Sequence, residues 1–239
     1  MTSDTSLDLS PAQTVRLLRQ LNHDLRNPLN ALTATASMLS EGMYDSLTEK
    51  QHHAVDRVER NLARMVRILD HFIWYIKANA GEYQLTVSAF DPRQLLEALQ
   101  AECQPIAVSK QIKLTISHSG SFPEAIHGDE TVIRQMLSAL VWNAISFTSN
   151  GSVNIRSQWK AGWLLTVKDT GPGIPPDAIP HIFEAFWRGN VAGTAVPTAA
   201  CGLGLAMAQA FAHLIKGQLS LKISSKRGSI FSIFVPDSV

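Results

Sequence analysis

Cysteine, membrane-length apolar runs and a surplus of either charge are all scarce in this sequence. Only two cysteines, Cys103 and Cys201, occur in 239 residues. They lie far apart and in no metal-ligand spacing, which excludes a disulfide framework and a structural zinc site. Isolated free thiols point instead to a reducing, cytoplasmic compartment. No run of about 18 apolar residues is present, so no membrane span is expected in this chain. Met1 to Ser10 is short and polar, without signal-peptide character. Lys and Arg number 21 against 20 Asp and Glu, a formal charge of +1, which argues against nucleic acid as a partner. What remains is 45% hydrophobic and 17% charged, the composition of a globular protein with a real core, long enough for one large domain or two small ones.

The first part of the chain reads as two long helices. Ser10 and Pro11 supply a cap and a first-turn proline. From there a helix is expected to about Ser40, with Gly42 as its stop. Leu18, Leu25, Leu32 and Leu39 recur at heptad spacing, with Leu21 between them. Ser46 and Glu49 fit a capping box for a second helix. Val55, Val58, Leu62, Met65, Leu69, Phe72 and Ile76 then alternate steps of three and four, a coiled-coil seam. One hairpin cannot bury two apolar stripes, so a homodimeric four-helix bundle is expected.

Near Gly81 the pattern changes, and the boundary of a second domain is expected there, giving domains 1–82 and 83–239. Strands are predicted at Gln84 to Ala89, Ile112 to Ser117, Ser152 to Gln158, Leu164 to Lys168, Gln218 to Ser224 and Ser229 to Val235. Helices are predicted from Asp91-Pro92 through Val108, from an Asp129 cap to about Phe147, and from Gly202 to about Lys216. The fold class is therefore α+β, a helical hairpin followed by a mixed α/β sandwich.

Several stretches carry chemistry-bearing residues. His23 stands opposite the leucine row, beside Asp24, with Asn27 three residues further on and Pro28 inside the helix. It is either a surface histidine at a proline bend or an exposed nucleophile. Asp169-Thr170-Gly171-Pro172-Gly173 ends a strand; it is an ordinary turn, or a place where a carboxylate meets an exocyclic amine and backbone approaches a flat ligand. Gly202-Leu203-Gly204 precedes a helix, a site type with free N–H groups for phosphate. Asn143, on an apolar helix, either bonds to backbone or gives an oxygen to Mg²⁺. Arg188 is the one residue with phosphate chemistry in the aromatic stretch Phe183 to Arg188. His52 and His53 are adjacent on a helix, point about 100° apart, and read as a solvated face.

In this order the blocks resemble the catalytic core of the sensor histidine kinases of two-component signalling. His23 to Leu29 is similar to the phosphoacceptor box, residues 135–148 to the asparagine box, and Asp169 to Gly173 to the first glycine box. Residues 182–188 are similar to the phenylalanine box, and Gly202 to Leu205 to the second glycine box. The resemblance implies a dimerising hairpin followed by a Bergerat-type ATP-binding domain. It implies that ATP, with Mg²⁺ on Asn143, phosphorylates His23, and that Asp24 fixes the ring tautomer. Asp169 would accept from the adenine amine, Gly171 and Gly173 would shape the base pocket, and Arg188, Gly202 and Gly204 would lie against the phosphates. The partners implied are a second copy of the chain, a response-regulator receiver domain, and a sensor domain or sensor protein. Asn27 implies an added phosphatase activity toward the regulator.

Two positions depart from that pattern. Ala139 stands where the family has a second asparagine, and Ser146 where it has a lysine. Residues 189–201, at the nucleotide lid, contain no Lys or Arg. These departures leave open an alternative, a dimeric histidine phosphotransfer adaptor with a degenerate nucleotide domain. A different ATPase of the same nucleotide fold fits the hairpin and His23 poorly.

Overall fold

The computed structural model describes residues 11–81, 83–120, 123–189 and 201–237. The chain divides into two compact units, Met1–Glu82 and Tyr83–Val239.

The first unit is an αα-hairpin of α1 (Pro11–Ser40) and α2 (Glu49–Asn79). Helix α1 runs unbroken through Pro28, and Gly42 follows it at φ 75°, the left-handed conformation that ends a helix at little cost for glycine. The expected Ser10 cap lies outside the described residues. The second helix begins two residues later than the Ser46 box predicts. Thr48 is its cap residue, and the Thr48 backbone N and hydroxyl both donate to Gln51 Oε1 at 2.8 Å.

The leucine row is not the seam of this hairpin. Leu29, Ala36 and Leu62 are its buried core, with Val55, Val66 and Leu69 packed around them. Leu25 and Leu32 are 42% and 54% exposed, and Val58 and Met65 about as much, at 50% and 51%. The physical reason is geometric: each helix meets one neighbour here, so one edge of each broad apolar stripe is covered and the other edge faces outward.

The second unit is one five-stranded sheet with helices against it. Its strands are β2 (Ile112–Ser119), β4 (Gly151–Trp159), β5 (Gly162–Asp169), β6 (Gln218–Ser225) and β7 (Gly228–Pro236), in the order β2-β4-β5-β7-β6. Strands β2 and β4 are parallel, and the other pairs are antiparallel. Helices α3 (Pro92–Ser109), α4 (Glu130–Phe147) and α5 (Gly204–Leu214) bring Leu96, Leu99, Ile133, Met136, Leu137, Met207 and Phe211 to the core. Those side chains meet Val153, Ile155, Leu165, Val167 and Ile233 from alternate positions of the sheet, the period-two signature of one buried face.

Two expectations are corrected. Of the first predicted strand only Ser88 and Ala89 are strand, within β1 (Ser88–Phe90), which pairs with a short β3 (Ile126–Gly128) that the sequence reading missed. Upstream of Ser88, the Thr86 N–H donates to the Asp129 carboxylate at 2.8 Å, so it is taken from any neighbouring strand. Helix α5 begins at Gly204 because Gly202, at φ 72°, is outside helical geometry.

The core also holds one polar pair whose loss is measurable. Trp163 and Ser157 are both fully buried, and the indole N–H donates to Ser157 Oγ at 2.8 Å. Ser157→Ala removes that acceptor, a cost of about 1–3 kcal/mol. Urea unfolding followed by tryptophan fluorescence should show this loss; a change below about 0.5 kcal/mol, the scatter of neutral substitutions, would mean another group serves the indole.

Candidate functional site

In the hairpin, the candidate group is on the outward face of α1. The side chains of His23 and Asp24 are 71% and 60% exposed, and His23 Nδ1 lies 3.3 Å from Asp24 Oδ1. Asp24 is itself held: Gln20, one turn back, donates Nε2 to both carboxylate oxygens at 3.0 and 3.1 Å. The Asp24 carboxyl is lowered below its ordinary pKa, chiefly by the Gln20 hydrogen bond and then by that of His23. The carboxylate is thus ionised and oriented, and the ring nitrogen it does not face, Nε2, is left toward water. Gln20 was missed by the sequence reading, although its spacing of four residues from Asp24 could have indicated it.

Beyond His23 the helix is tied to its neighbour. Arg26 forms an ion pair with Asp70 on α2, and Asp70 is raised above the ordinary carboxylate value because burial outweighs the attraction of Arg26. Asn27 is exposed, a turn past His23. His52 and His53 are exposed too, and no group of three His, Cys, Asp or Glu side chains that could hold a metal occurs among the described residues.

In the second unit, the candidate site gathers around the end of β5. Asp169 is 6% exposed. Its Oδ1 accepts from the backbone N–H of Gly171 at 2.8 Å and of Ser229 at 3.2 Å. Burial raises its pKa, and those backbone donors act in the opposite direction. The second carboxylate oxygen takes no part in those bonds.

The glycines are there for close packing of chain on chain. A Cβ on Gly173, at φ 76°, would lie 1.9 Å from Ser225 O. One on Gly171 would lie 3.0 Å from both Asp169 Oδ1 and Phe147 O, and one on Gly228 would lie 2.0 Å from Asp169 O. The turn between β6 and β7 therefore backs the Asp169 loop. Ser224 fastens it, accepting from Ile174 N–H at 2.6 Å and donating to Ile174 O at 3.1 Å. Ser224, Gly228 and Ser229 were not singled out from sequence, because nothing local places a terminal hairpin beside residue 169.

Helix α4 supplies Asn143, half-buried, whose amide makes no hydrogen bond to another described residue. A free amide oxygen with no carboxylate cage suits a cation held mainly by phosphates and water, as Mg²⁺ is. Near the end of the same helix, Thr148 is fully buried and its Oγ1 has no partner among the described residues. Ala139 is buried in the core at 3% exposure. Lys110, at the end of α3, donates Nζ to the carbonyls of Ile145 and Ser146 at 2.9 and 3.1 Å, holding the end of α4.

The aromatic segment docks on the second glycine pair. Phe186 N–H donates to Gly202 O at 2.8 Å, and a Cβ on Gly202 would lie 2.6 Å from Trp187 O. Phe186 adopts φ 64° while 61% exposed, a strained backbone for an aromatic residue. His181 stacks on Trp187 with ring centroids 6.1 Å apart and bonds to Glu184 at 2.8 Å. Arg188 is exposed next to Trp187. Gly204 opens α5 behind Leu203, which gives no side-chain cap; the N–H groups of such a helix start are the type that binds an anion. Residues 190–200 lie outside the described residues.

Comparison with known proteins agrees with both halves. The His Kinase A (phospho-acceptor) domain matches residues 13–81. The histidine kinase-, DNA gyrase B- and HSP90-like ATPase family matches residues 128–239. The sensor protein TorS of Escherichia coli is 29% identical over 224 residues, covering 92% of this chain and 23% of its own length. The sensory/regulatory protein RpfC of Xanthomonas campestris is 25% identical over 231 residues, covering 94% of this chain and 31% of its own. The chain thus spans less than a third of these relatives. Among solved structures, full-length ShkA in complex with AMPPNP superposes with a TM-score of 0.73 at 27% identity, covering 97% of this chain and 47% of that one. The Acinetobacter baumannii histidine kinase AdeS shares the fold, with a TM-score of 0.62 at 21% identity over 91% of this chain and 98% of that one. A phosphoacceptor-domain match followed by an ATPase-family match, in one chain and in that order, is the domain pair of a histidine kinase catalytic core.

Proposed function

We propose that this chain uses ATP with Mg²⁺ to phosphorylate His23, then passes the phosphoryl group to an aspartate of a response-regulator receiver domain. The observation that carries this reading is the His23 ring, exposed on a rigid helix with Nδ1 against an oriented, ionised Asp24. With the Nδ1 proton donated to Asp24, Nε2 keeps its lone pair. It attacks the γ-phosphorus as a neutral nucleophile; the Nε2–P bond forms, the bond to the β,γ-bridging oxygen breaks, and ADP leaves. Asp24 stabilises the positive ring that results. Little else is asked of the protein in phosphoryl transfer than position and charge neutralisation.

The nucleotide reading rests on Asp169. A carboxylate kept buried against its own desolvation is explained by a partner that donates to it, and its remaining oxygen suits the adenine amine. Gly171 and Gly173 set the loop around the base, while Gly202, Gly204 and Arg188 face the phosphates. Asn143 would hold Mg²⁺, which neutralises phosphate charge when bound. The adaptor alternative falls away, since the ATPase family matches residues 128–239 as a whole.

The outward edges of the hairpin stripe support a homodimer. Leu21, Leu25 and Leu32 with Val58 and Met65 are each 42–57% exposed, and a second copy would cover them in a four-helix bundle. Input comes from a sensor domain or sensor protein, in the cytoplasm. Among the described residues no helix is long and apolar enough to cross a membrane.

His23→Ala should abolish phosphoryl labelling from γ-labelled ATP and leave nucleotide binding intact; label surviving on that variant would refute the assignment. Asn27→Ala should slow regulator dephosphorylation by about tenfold or more, a loss of about 1.4 kcal/mol, with autophosphorylation changed far less. Equal loss of both would make Asn27 a structural residue of the Pro28 segment.

Asp169 gives a prediction with a definite sign. Its folded pKa is raised, so its contribution to stability is complete below the unfolded value and is lost as pH rises through the folded one. At neutral pH the charge therefore works against folding. Asp169→Asn keeps an oxygen for Gly171 and Ser229, and should melt at or above the wild-type temperature near pH 7, the advantage vanishing by about pH 4. Calorimetry should show ATP binding weakened by more than about tenfold. A variant that melts lower at neutral pH yet binds ATP normally would contradict both parts.

Phosphate charge is the last expectation here. A lysine at position 146 would contribute about 1.5–3 kcal/mol as a charge-assisted bond, or about tenfold to a hundredfold in affinity. Ser146→Lys should therefore tighten ATP by that factor and ADP by less. Strong ATP preference in the unmodified protein would assign the missing charge to Arg188.

A further inference from the structure

The sheet face turned away from α3, α4 and α5 has no part in the site above, and its charge is of one sign. The five strands carry Lys113, Arg156, Lys168 and Lys222 against a single acid, Asp169. Asp169 belongs to the helix-covered face and is 6% exposed. Alternation fixes which residues point the other way. Val153, Ile155, Leu165 and Val167 are buried, so Asn154, Arg156, Thr166 and Lys168 between them face outward. Register then brings the cations together. Lys168 pairs with Asn154, two residues from Arg156 on β4, a diagonal of about 7–8 Å. Lys113 lies two residues from Thr115 on β2, which also pairs with Asn154. All three cations are exposed, and none is in an ion pair among the described residues. The polar groups between them bond to one another: Asn154 Nδ2 donates to Thr115 Oγ1 at 2.9 Å, and Ser117 Oγ donates to Asn154 Oδ1 at 3.2 Å. Positive charge is thus what this half of the face presents. The other half is apolar. Ile230 pairs with Lys168 on one side and with Ile223 on the other, and Ile223 is 55% exposed. Phe234 lies further along β7 with its ring over Gly162, where a Cβ would be 2.8 Å from Phe234 Cζ.

We propose that this sheet face is a docking surface for an acidic amphipathic helix of a partner protein. The carboxylates of that helix would meet Lys113, Arg156 and Lys168, and its apolar stripe would cover Ile230, Ile223 and Phe234. Charge complementarity selects the sign of the partner. The adjoining apolar half selects an amphipathic segment over a bare polyanion. From β2 to β6 the strands span about 19 Å, the length of a helix of about 13 residues. An anionic membrane is the poorer match, since lipid headgroups are recognised by clusters of about four to eight cations. The sheet itself separates this face from α4 and α5, so a docked helix leaves the Asp169 site open. The proposal therefore stands apart from the kinase reading.

The test uses the whole chain and a fluorescent synthetic helix of about 16 residues, with Leu along one stripe and Glu along one edge of that stripe. Anisotropy should show binding to wild-type protein that weakens as salt rises from about 0.05 to 0.5 M. Arg156→Glu with Lys168→Glu should weaken binding about tenfold, each lost exposed pair accounting for up to about fivefold. Gln at the same two positions, a milder change to the fold, should give a smaller loss in the same direction. Lys50→Glu with Arg57→Glu on α2 alters the net charge equally and should leave binding unchanged. Ile223→Ser should weaken the helix while leaving polyglutamate binding as it was. No binding by wild-type protein would overturn the proposal, as would equal loss in the α2 variant, which would make the attraction nonspecific. Binding to vesicles of phosphatidylserine and phosphatidylcholine, abolished by the Glu pair and with none to the helix, would assign the face to a membrane and sink the proposal too.

Discussion

The nucleotide domain depends on a buried negative charge at the end of a central strand. Asp169 belongs to β5, yet the N–H groups that satisfy it come from Gly171 downstream and from Ser229 on β7. Desolvation still outweighs those bonds and raises its pKa. Because the carboxylate needs both donors, two chain segments must approach it without side chains in the way. Gly171, Gly173 and Gly228 are the result: at each, a Cβ would fall on a neighbouring carbonyl or on the carboxylate itself. The glycines around the site are thus consequences of one charge placed where water cannot reach it.

The hairpin uses a carboxylate in the opposite way. Asp24 is in water, and its pKa is lowered by hydrogen bonds from Gln20 and His23. An exposed carboxylate does little by charge alone at high dielectric; what it does well is fix which nitrogen of the ring carries the proton. Rigidity comes from the helix and from the Arg26–Asp70 ion pair one turn on. On the proposed reading, one aspartate orients a nucleophile that stands in water. The other, 6% exposed, gathers two backbone donors onto itself. Burial, more than residue type, divides the two roles.

The strongly periodic elements were legible in the sequence: α1, α3, α4 and the strands of the main sheet fall within a few residues of expectation, because apolar period and caps such as Asp91 and Asp129 are local signals. What failed was non-local. The heptad leucines mark an apolar stripe correctly but do not say which edge packs within the hairpin, and Leu29 and Ala36 took the buried places. Gln84 to Val87 has strand-like composition, yet Thr86 gives its N–H to a side chain 43 residues away. Asp169, Gly171, Gly173, Gly202 and Gly204 could be picked out as a pattern. Ser224 and Ser229 could not, since their part in the site exists only once the last hairpin folds back on β5.

Asp129 shows how a local signal can hide a second role. In sequence it is a helix cap, and one of its oxygens is used that way. A cap needs only one acceptor; a carboxylate has two, and in a site 2% exposed the second must be answered from within the protein. It is answered by the residues that lead in from the hairpin. The end of α4 is held by the Lys110 ammonium on its last carbonyls. The helix carrying Asn143 is therefore held at one end by its own cap carboxylate, which also binds Tyr83 and Thr86, and at the other by Lys110 from α3.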